Sequence, residues 1–198
     1  MTSLLYLHGF LSGPRSVKGR VLETLCRARG IGFCAPDLNA PPDEALRRIR
    51  SARTALADKG EVAVVGSSLG GFYATVLAAE TCDRTAVVNP AVEPWKIVSL
   101  YLGWQPLAMT GARIWVEAEH AHMLEAMAVS ALPNPERILT LLTTGDEVLD
   151  WTAAAERYAD SPSIVIPGGD HAVSDFAEYA EHVMRFLFRN DSKEAAGR

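Results

Sequence analysis

The chain has 198 residues, 48% of them hydrophobic and 22% charged, and a formal net charge of −5. Those values suit one soluble domain able to bury a sizeable core. The negative balance, with no Lys/Arg run interleaved by aromatics, argues against a large phosphate-binding surface and so against nucleic acid as a partner.

Taken in chain order, residues 4–7 read as a first strand, entered without the charged region and long apolar stretch of a signal peptide. Val17, Val21 and Leu25 space as one helical face ending at Gly30, and 32–35 read as the next strand. Leu46, Ile49, Arg53 and Leu56 make a weaker helical stripe ending at Gly60. Residues 62–65 form a buried-strand run, 69–79 a helix, and 85–88 another strand. Residues 137–142 and 163–166 read as the last two strands, and Phe176, Tyr179, Val183 and Leu187 mark the last helix. No segment approaches the ~18 unbroken apolar residues of a membrane helix. The alternation implies an α/β fold, a doubly wound and mostly parallel sheet of about six strands, with ligands held where the strand C-terminal ends converge. Residues 1–189 are expected to form this single domain, with 190–198 as a polar tail.

Residues 90–136 are too long for a simple connection and hold Trp95, Trp104 and Trp115, so an inserted cap is expected there. A cap over the sheet edge would shape an acyl or alcohol pocket, with Trp95, Tyr101 and Trp104 as candidates beside Leu100, Leu107 and Met109. The same residues would serve equally well to complete the core over one face of the sheet. Cys26, Cys34 and Cys82 are an odd number without CxxC spacing. They read as reduced core residues of a cytoplasmic protein, with no metal or cofactor implied.

The chemistry is concentrated where 62–65 run into Gly66-Ser67-Ser68-Leu69-Gly70, a GxSxG turn between a strand and a helix. Such a turn brings the positions flanking the serine close together, which glycine permits at Gly66 and Gly70. Ser68 is the candidate nucleophile. A serine hydroxyl needs a base within hydrogen-bond reach and a carboxylate to orient that base. Of the five histidines, His171 lies in a glycine-rich loop directly after the final strand, whereas His120, His122 and His182 have no strand end beside them. His8 also follows a strand but reads as a brace for its loop.

The acid should follow the penultimate strand, where Asp146 comes first after the turn glycine, ahead of Glu147 and Asp150. Asp150 precedes Trp-Thr-Ala-Ala-Ala-Glu and reads as a helix N-cap, and Asp170 reads as a turn residue. The order Ser68, Asp146, His171 is that of α/β-hydrolases. Backbone N–H groups of Leu69, at a helix N-terminus, and of Phe10, in a loop that Gly9 lets turn inward, would form an oxyanion hole. Arg15, Lys18 and Arg20 sit near that loop and read as solvated helix charges in preference to ligands for a coenzyme A phosphate.

Together these residues resemble the small bacterial YqiA-like esterases of the α/β-hydrolase superfamily. The likeness runs from Leu4 to Phe188 and rests on Leu-Tyr-Leu-His-Gly-Phe, Val-Gly-Ser-Ser-Leu-Gly-Gly, Val-Asn-Pro-Ala-Val, Thr-Gly-Asp-Glu-Val-Leu-Asp and Gly-Gly-Asp-His-Ala. It implies a cofactor-free esterase or thioesterase acting on small acyl esters, with Ser68, Asp146 and His171 at the matching positions. An acyl-CoA thioesterase, an acyltransferase and a non-catalytic hydrolase-fold binding protein are the alternatives.

Overall fold

Six strands whose side chains alternate between two covered faces are the frame of the molecule, which a computed structural model describes over residues 2–189. They are β1 (Ser3–Leu7), β2 (Gly32–Cys34), β3 (Val62–Ser67), β4 (Arg84–Val88), β7 (Ile138–Thr143) and β8 (Ser163–Ile166). All pair in parallel, in the order β2-β1-β3-β4-β7-β8. The near-continuous apolar runs read from the sequence follow from this burial on both sides. Leu5, Leu7 and Val64 face one core with Ala45, Leu46 and Ile49 of α2 (Pro42–Ala57) and with α3 (Leu69–Thr81). Leu4, Tyr6, Ala63 and Val65 face the other, with α1 (Val17–Ala28) and α6 (Phe176–Leu187).

The first helix is rotated from the face its apolar spacing predicts: Val21 and Leu25 pack at the margin of the core, and the fully buried line lies one position on. Val17 is 54% exposed, and the buried positions are Lys18, Gly19, Leu22 and Cys26. Gly19 explains the rotation, because a Cβ there would meet Pro14 O at 2.2 Å and Tyr6 Cε1 at 3.0 Å. The helix rests on the Tyr6 ring through the one residue that has no side chain to intervene.

Residues 90–136 carry a 3₁₀ segment, Pro94–Tyr101, then the antiparallel strands β5 (Gly103–Pro106) and β6 (Arg113–Val116), and then α4 (Glu119–Ala126). The strand pair is absent from the sequence reading. Helix α4 packs on the 3₁₀ segment and on α2. A further helix, α5 (Trp151–Arg157), starts at Asp150, whose carboxylate accepts from Thr152 N–H at 2.9 Å, as an N-cap should.

The expected burial of the cysteines holds for Cys26, while Cys34 is half-buried and Cys82 exposed; all three are free thiols. Cys82 closes α3 in a left-handed conformation, which puts it at the surface. No helix among the described residues is long and apolar enough to cross a membrane. The expected polar tail, 190–198, lies outside the described residues.

Candidate active site

The order of the strands reverses at β1, which pairs with β2 on one side and β3 on the other, so a crevice opens at the ends of β1 and β3. The turn after β3 places Ser68 there, at φ 54° and ψ −123°, a conformation that L-residues rarely adopt. It is held at both ends: Ser68 N–H donates to Val88 O at 3.0 Å, and Ser68 O accepts from Ala91 N–H at 3.1 Å. The crossing is tight at the flanking glycines. A Cβ on Gly66 would lie 2.2 Å from Gly70 O, and one on Gly70 would lie 2.1 Å from Leu7 O.

His171 and Asp146 reach Ser68 from the loops after β8 and β7. His171 Nε2 lies 3.0 Å from Ser68 Oγ, and His171 Nδ1 lies 2.8 Å from Asp146 Oδ2. Burial disfavours charge on Asp146, but hydrogen bonds from His171 and from the Leu149 and Val148 N–H groups outweigh it, holding the carboxyl below its usual range. An ionised carboxylate can only accept, so Nδ1 carries the imidazole proton and Nε2 is left to accept from the Ser68 hydroxyl.

Gly9, after β1, approaches the serine closely, with its ideal Cβ position 3.1 Å from Ser68 Cβ. Neither Phe10 N–H nor Leu69 N–H donates to an acceptor among the described residues. His8 is 1% exposed; its Nδ1–H donates to Gly9 O at 2.8 Å, and its Nε2 accepts from Leu38 N–H at 2.9 Å. That arrangement needs a neutral ring, and burial lowers the His8 pKa accordingly. Asp37 Oδ1, 3.5 Å from Nε2, faces a nitrogen that carries no proton.

Ser68 and His171 open onto a cavity of about 240 Å³. Its walls are mostly apolar, from Leu38, Val98, Ile114, Leu124 and Leu149 among others. Of the three aromatic pocket candidates only Tyr101 lines it, its ring 5.1 Å from that of Phe10. Trp95 turns away to pack on Phe72, with ring centroids 6.2 Å apart, beside a separate hollow. Trp104 is on the outside of the β5–β6 pair, 56% exposed, against Trp115 and under the Arg113 guanidinium. His120, set aside on sequence, does line the cavity, through α4.

The model of an uncharacterised protein family, UPF0227, matches residues 3–188. The chain belongs to this family. It is the YqiA-like family that the sequence motifs resemble. Est1E from Butyrivibrio proteoclasticus has a similar structure, with 16% identity and a TM-score of 0.69 over 94% of this chain and 86% of that one. Mouse alpha/beta hydrolase domain-containing protein 10 is alike at 18% identity and a TM-score of 0.67, over 93% of this chain and 90% of that one. A methylesterase from Arabidopsis gives 18% and 0.60, over 94% and 100%. At such identities the likeness establishes the fold, and this UPF0227 protein has the α/β-hydrolase fold.

Two residues that hold the His171 loop escaped the sequence reading. Asn89, 3% exposed at φ 40°, follows β4. Its Oδ1 accepts from Thr143 N–H at 2.9 Å, and its Nδ2 donates to Thr143 Oγ1 at 2.8 Å and reaches Asp170 O and His171 O at 3.2 Å. Lys18 was read as a solvated helix charge, yet it is 8% exposed and its Nζ donates to Ala172 O. Burial lowers its pKa to about 8 against the opposing pull of Asp170. Three consecutive carbonyls around His171 are thus held from β4 and from α1, and Glu147 Oε2 accepts from His171 N–H at 2.9 Å. An Asn-Pro pair at a strand end was the one available signal for Asn89. Asp170, read as a turn residue, accepts from Ser174 N–H and Oγ.

Proposed function

We propose that the protein is a serine esterase that hydrolyses carboxylic acyl esters through an acyl-enzyme. The hydrogen-bonded line from Ser68 Oγ through His171 to Asp146 Oδ2, at 3.0 and 2.8 Å, carries this reading. His171 Nε2 takes the hydroxyl proton as Ser68 Oγ bonds to the ester carbonyl carbon. The oxygen turns anionic beside the unengaged Phe10 and Leu69 N–H groups, the second at the positive end of α3. Collapse breaks the carbon–oxygen bond to the alcohol, which leaves with the proton from His171. Water, deprotonated by the same nitrogen, then releases the acid and restores Ser68. Asp146 keeps the proton on Nδ1 and stabilises the imidazolium formed in each step.

Because Asn89 bears on the backbone of His171 and touches no reacting atom, its part is positioning. Asn89→Ala is expected to lower kcat by roughly tenfold to a hundredfold with a much smaller change in KM, since a displacement of the base weakens the transition state more than binding. The buried Thr143 N–H left without its acceptor should also cost about 1–3 kcal/mol in urea unfolding. A raised KM with kcat unchanged would assign Asn89 to substrate binding instead.

A rate profile over rising acyl length, with oxygen esters matched to thioesters, tests the function as a whole. The esterase reading expects oxygen esters to turn over in the presence of water alone. Thioester-only turnover would replace it with thioesterase chemistry, and turnover only with an added alcohol would replace it with acyl transfer. Inertness together with failure of a fluorophosphonate to label Ser68 would leave a binding protein. We place the enzyme in the reducing cytoplasm, a reading that three free thiols support.

A further inference from the structure

Tyr73 lies on α3, five residues beyond Ser68, roughly 7.5 Å further along the helix axis. It is 2% exposed and lines the cavity that Ser68 and His171 open onto. Its ring packs edge-on against Phe72, but its hydroxyl makes no hydrogen bond with any described residue. That hydroxyl is nevertheless not among the sealed, unpartnered polar atoms, so it keeps some open surface. A phenylalanine would fill the same space without leaving a buried polar group unsatisfied, which makes the lone hydroxyl a feature that calls for a ligand.

Charge around this wall narrows the ligand. No Lys or Arg is among the described residues lining the cavity, and Pro42 brings in the start of α2, whose first turn carries Asp43 and Glu44. Burial, joined by the Asp43 charge, raises the phenol pKa far above its ordinary value. The group is therefore a neutral O–H that can donate or accept, in a place unfavourable to a second anion. Asn39, on the same cavity, has both amide hydrogens engaged by Ser12 O and Asp37 Oδ1, leaving its own Oδ1 as an acceptor.

We propose that Tyr73 Oη is a recognition point for a neutral oxygen, a hydroxyl, ether or carbonyl, on the part of the substrate remote from the ester. The favoured substrates are then esters with an apolar body and a neutral polar end, in preference to plain alkyl esters or acids with a second carboxylate. This rests on the esterase reading, since it takes Ser68 as the fixed end of the substrate.

The test uses the whole chain and two matched sets of esters of rising length: plain alkyl alkanoates, and counterparts with a terminal methoxy group on the acyl or the alkyl chain. Acid release should show the methoxy ester favoured about tenfold in kcat/KM at one length, the worth of one hydrogen bond. Tyr73→Phe should bring that ratio close to unity. A ratio near unity in the wild type at every length, or a preference that Tyr73→Phe keeps, overturns the subsite and leaves the esterase reading standing. Calorimetric binding of the same esters to Ser68→Ala protein reads the subsite without turnover. A methoxy preference there, lost when Tyr73→Phe is added, supports the subsite even if the wild type hydrolyses neither set, and that pairing sinks the esterase reading alone. Absence of any preference in binding overturns the subsite.

Discussion

Ser68→Ala is expected to lower ester turnover by at least about 10⁴-fold while leaving the fold and its melting temperature nearly unchanged. Alanine keeps the Cβ and removes one hydroxyl that donates to His171 Nε2, so little packing is lost. His171→Ala should cost about as much, and the double variant hardly more than either, because the two groups act as one unit through the 3.0 Å contact. Asp146→Asn is a sharper probe, since an amide at the Oδ2 position can present N–H to Nδ1 and favour the wrong tautomer. Steady-state kinetics with circular dichroism on each variant checks the set. Substantial turnover by Ser68→Ala would mean that the reaction runs elsewhere in the molecule.

The second large effect is on stability. Gly70→Ala places a methyl group 2.1 Å from Leu7 O and 2.6 Å from His8 O, both backbone atoms at the end of β1, and neither can rotate away. Relief requires α3 to lift from β1 and with it the contact that fixes the crevice. We expect a loss of about 3–5 kcal/mol in urea unfolding, at the upper end of overpacking effects, together with loss of activity. Gly30→Ala is the comparison. Its Cβ would meet nothing within 4 Å, so its cost is that of a positive φ of 65° alone, about 1–2 kcal/mol. Equal destabilisation by the two changes would refute the steric account of the turn.

The sheet was legible because a parallel strand covered on both faces is apolar along most of its length, as 62–65 are throughout and 138–142 are but for Thr140. The strand pair at Gly103–Pro106 and Arg113–Val116 was not, since neither segment is apolar throughout and Gly103 and Pro106 are poor strand formers. Missing it misplaced Trp104. Antiparallel register sets Trp104 opposite Trp115, whose ring, 5.4 Å away, stands between it and the cavity that Trp115 itself lines. Counting aromatics in an insertion cannot distinguish that from a pocket wall.

Of the residues brought together in the candidate site, Ser68, His171 and Asp146 could be singled out because each follows a strand, the serine in a GxSxG turn. Asn89 and Lys18 could not, because their work is done on carbonyls of a loop some 80 and 150 positions away, at sequence separations of 81 and 154. Lys18 misled further, for a lysine next to Val17 on an amphipathic helix belongs in water unless a glycine one place on rotates the helix against the sheet.

Ser68 and His171 are 103 positions apart in the chain, and His171 follows β8, which is the sheet's edge and its last strand to be made. During synthesis the serine emerges with no base beside it, an ordinary alcohol. On the proposed esterase reading it gains its reactivity when β8 docks on β7 and the final loop is drawn back across the sheet. Hydrolytic competence would in this sense be a certificate of finished folding: a chain cut short before residue 171, or one whose edge strand has come loose, would carry the elbow without the proposed base to activate it.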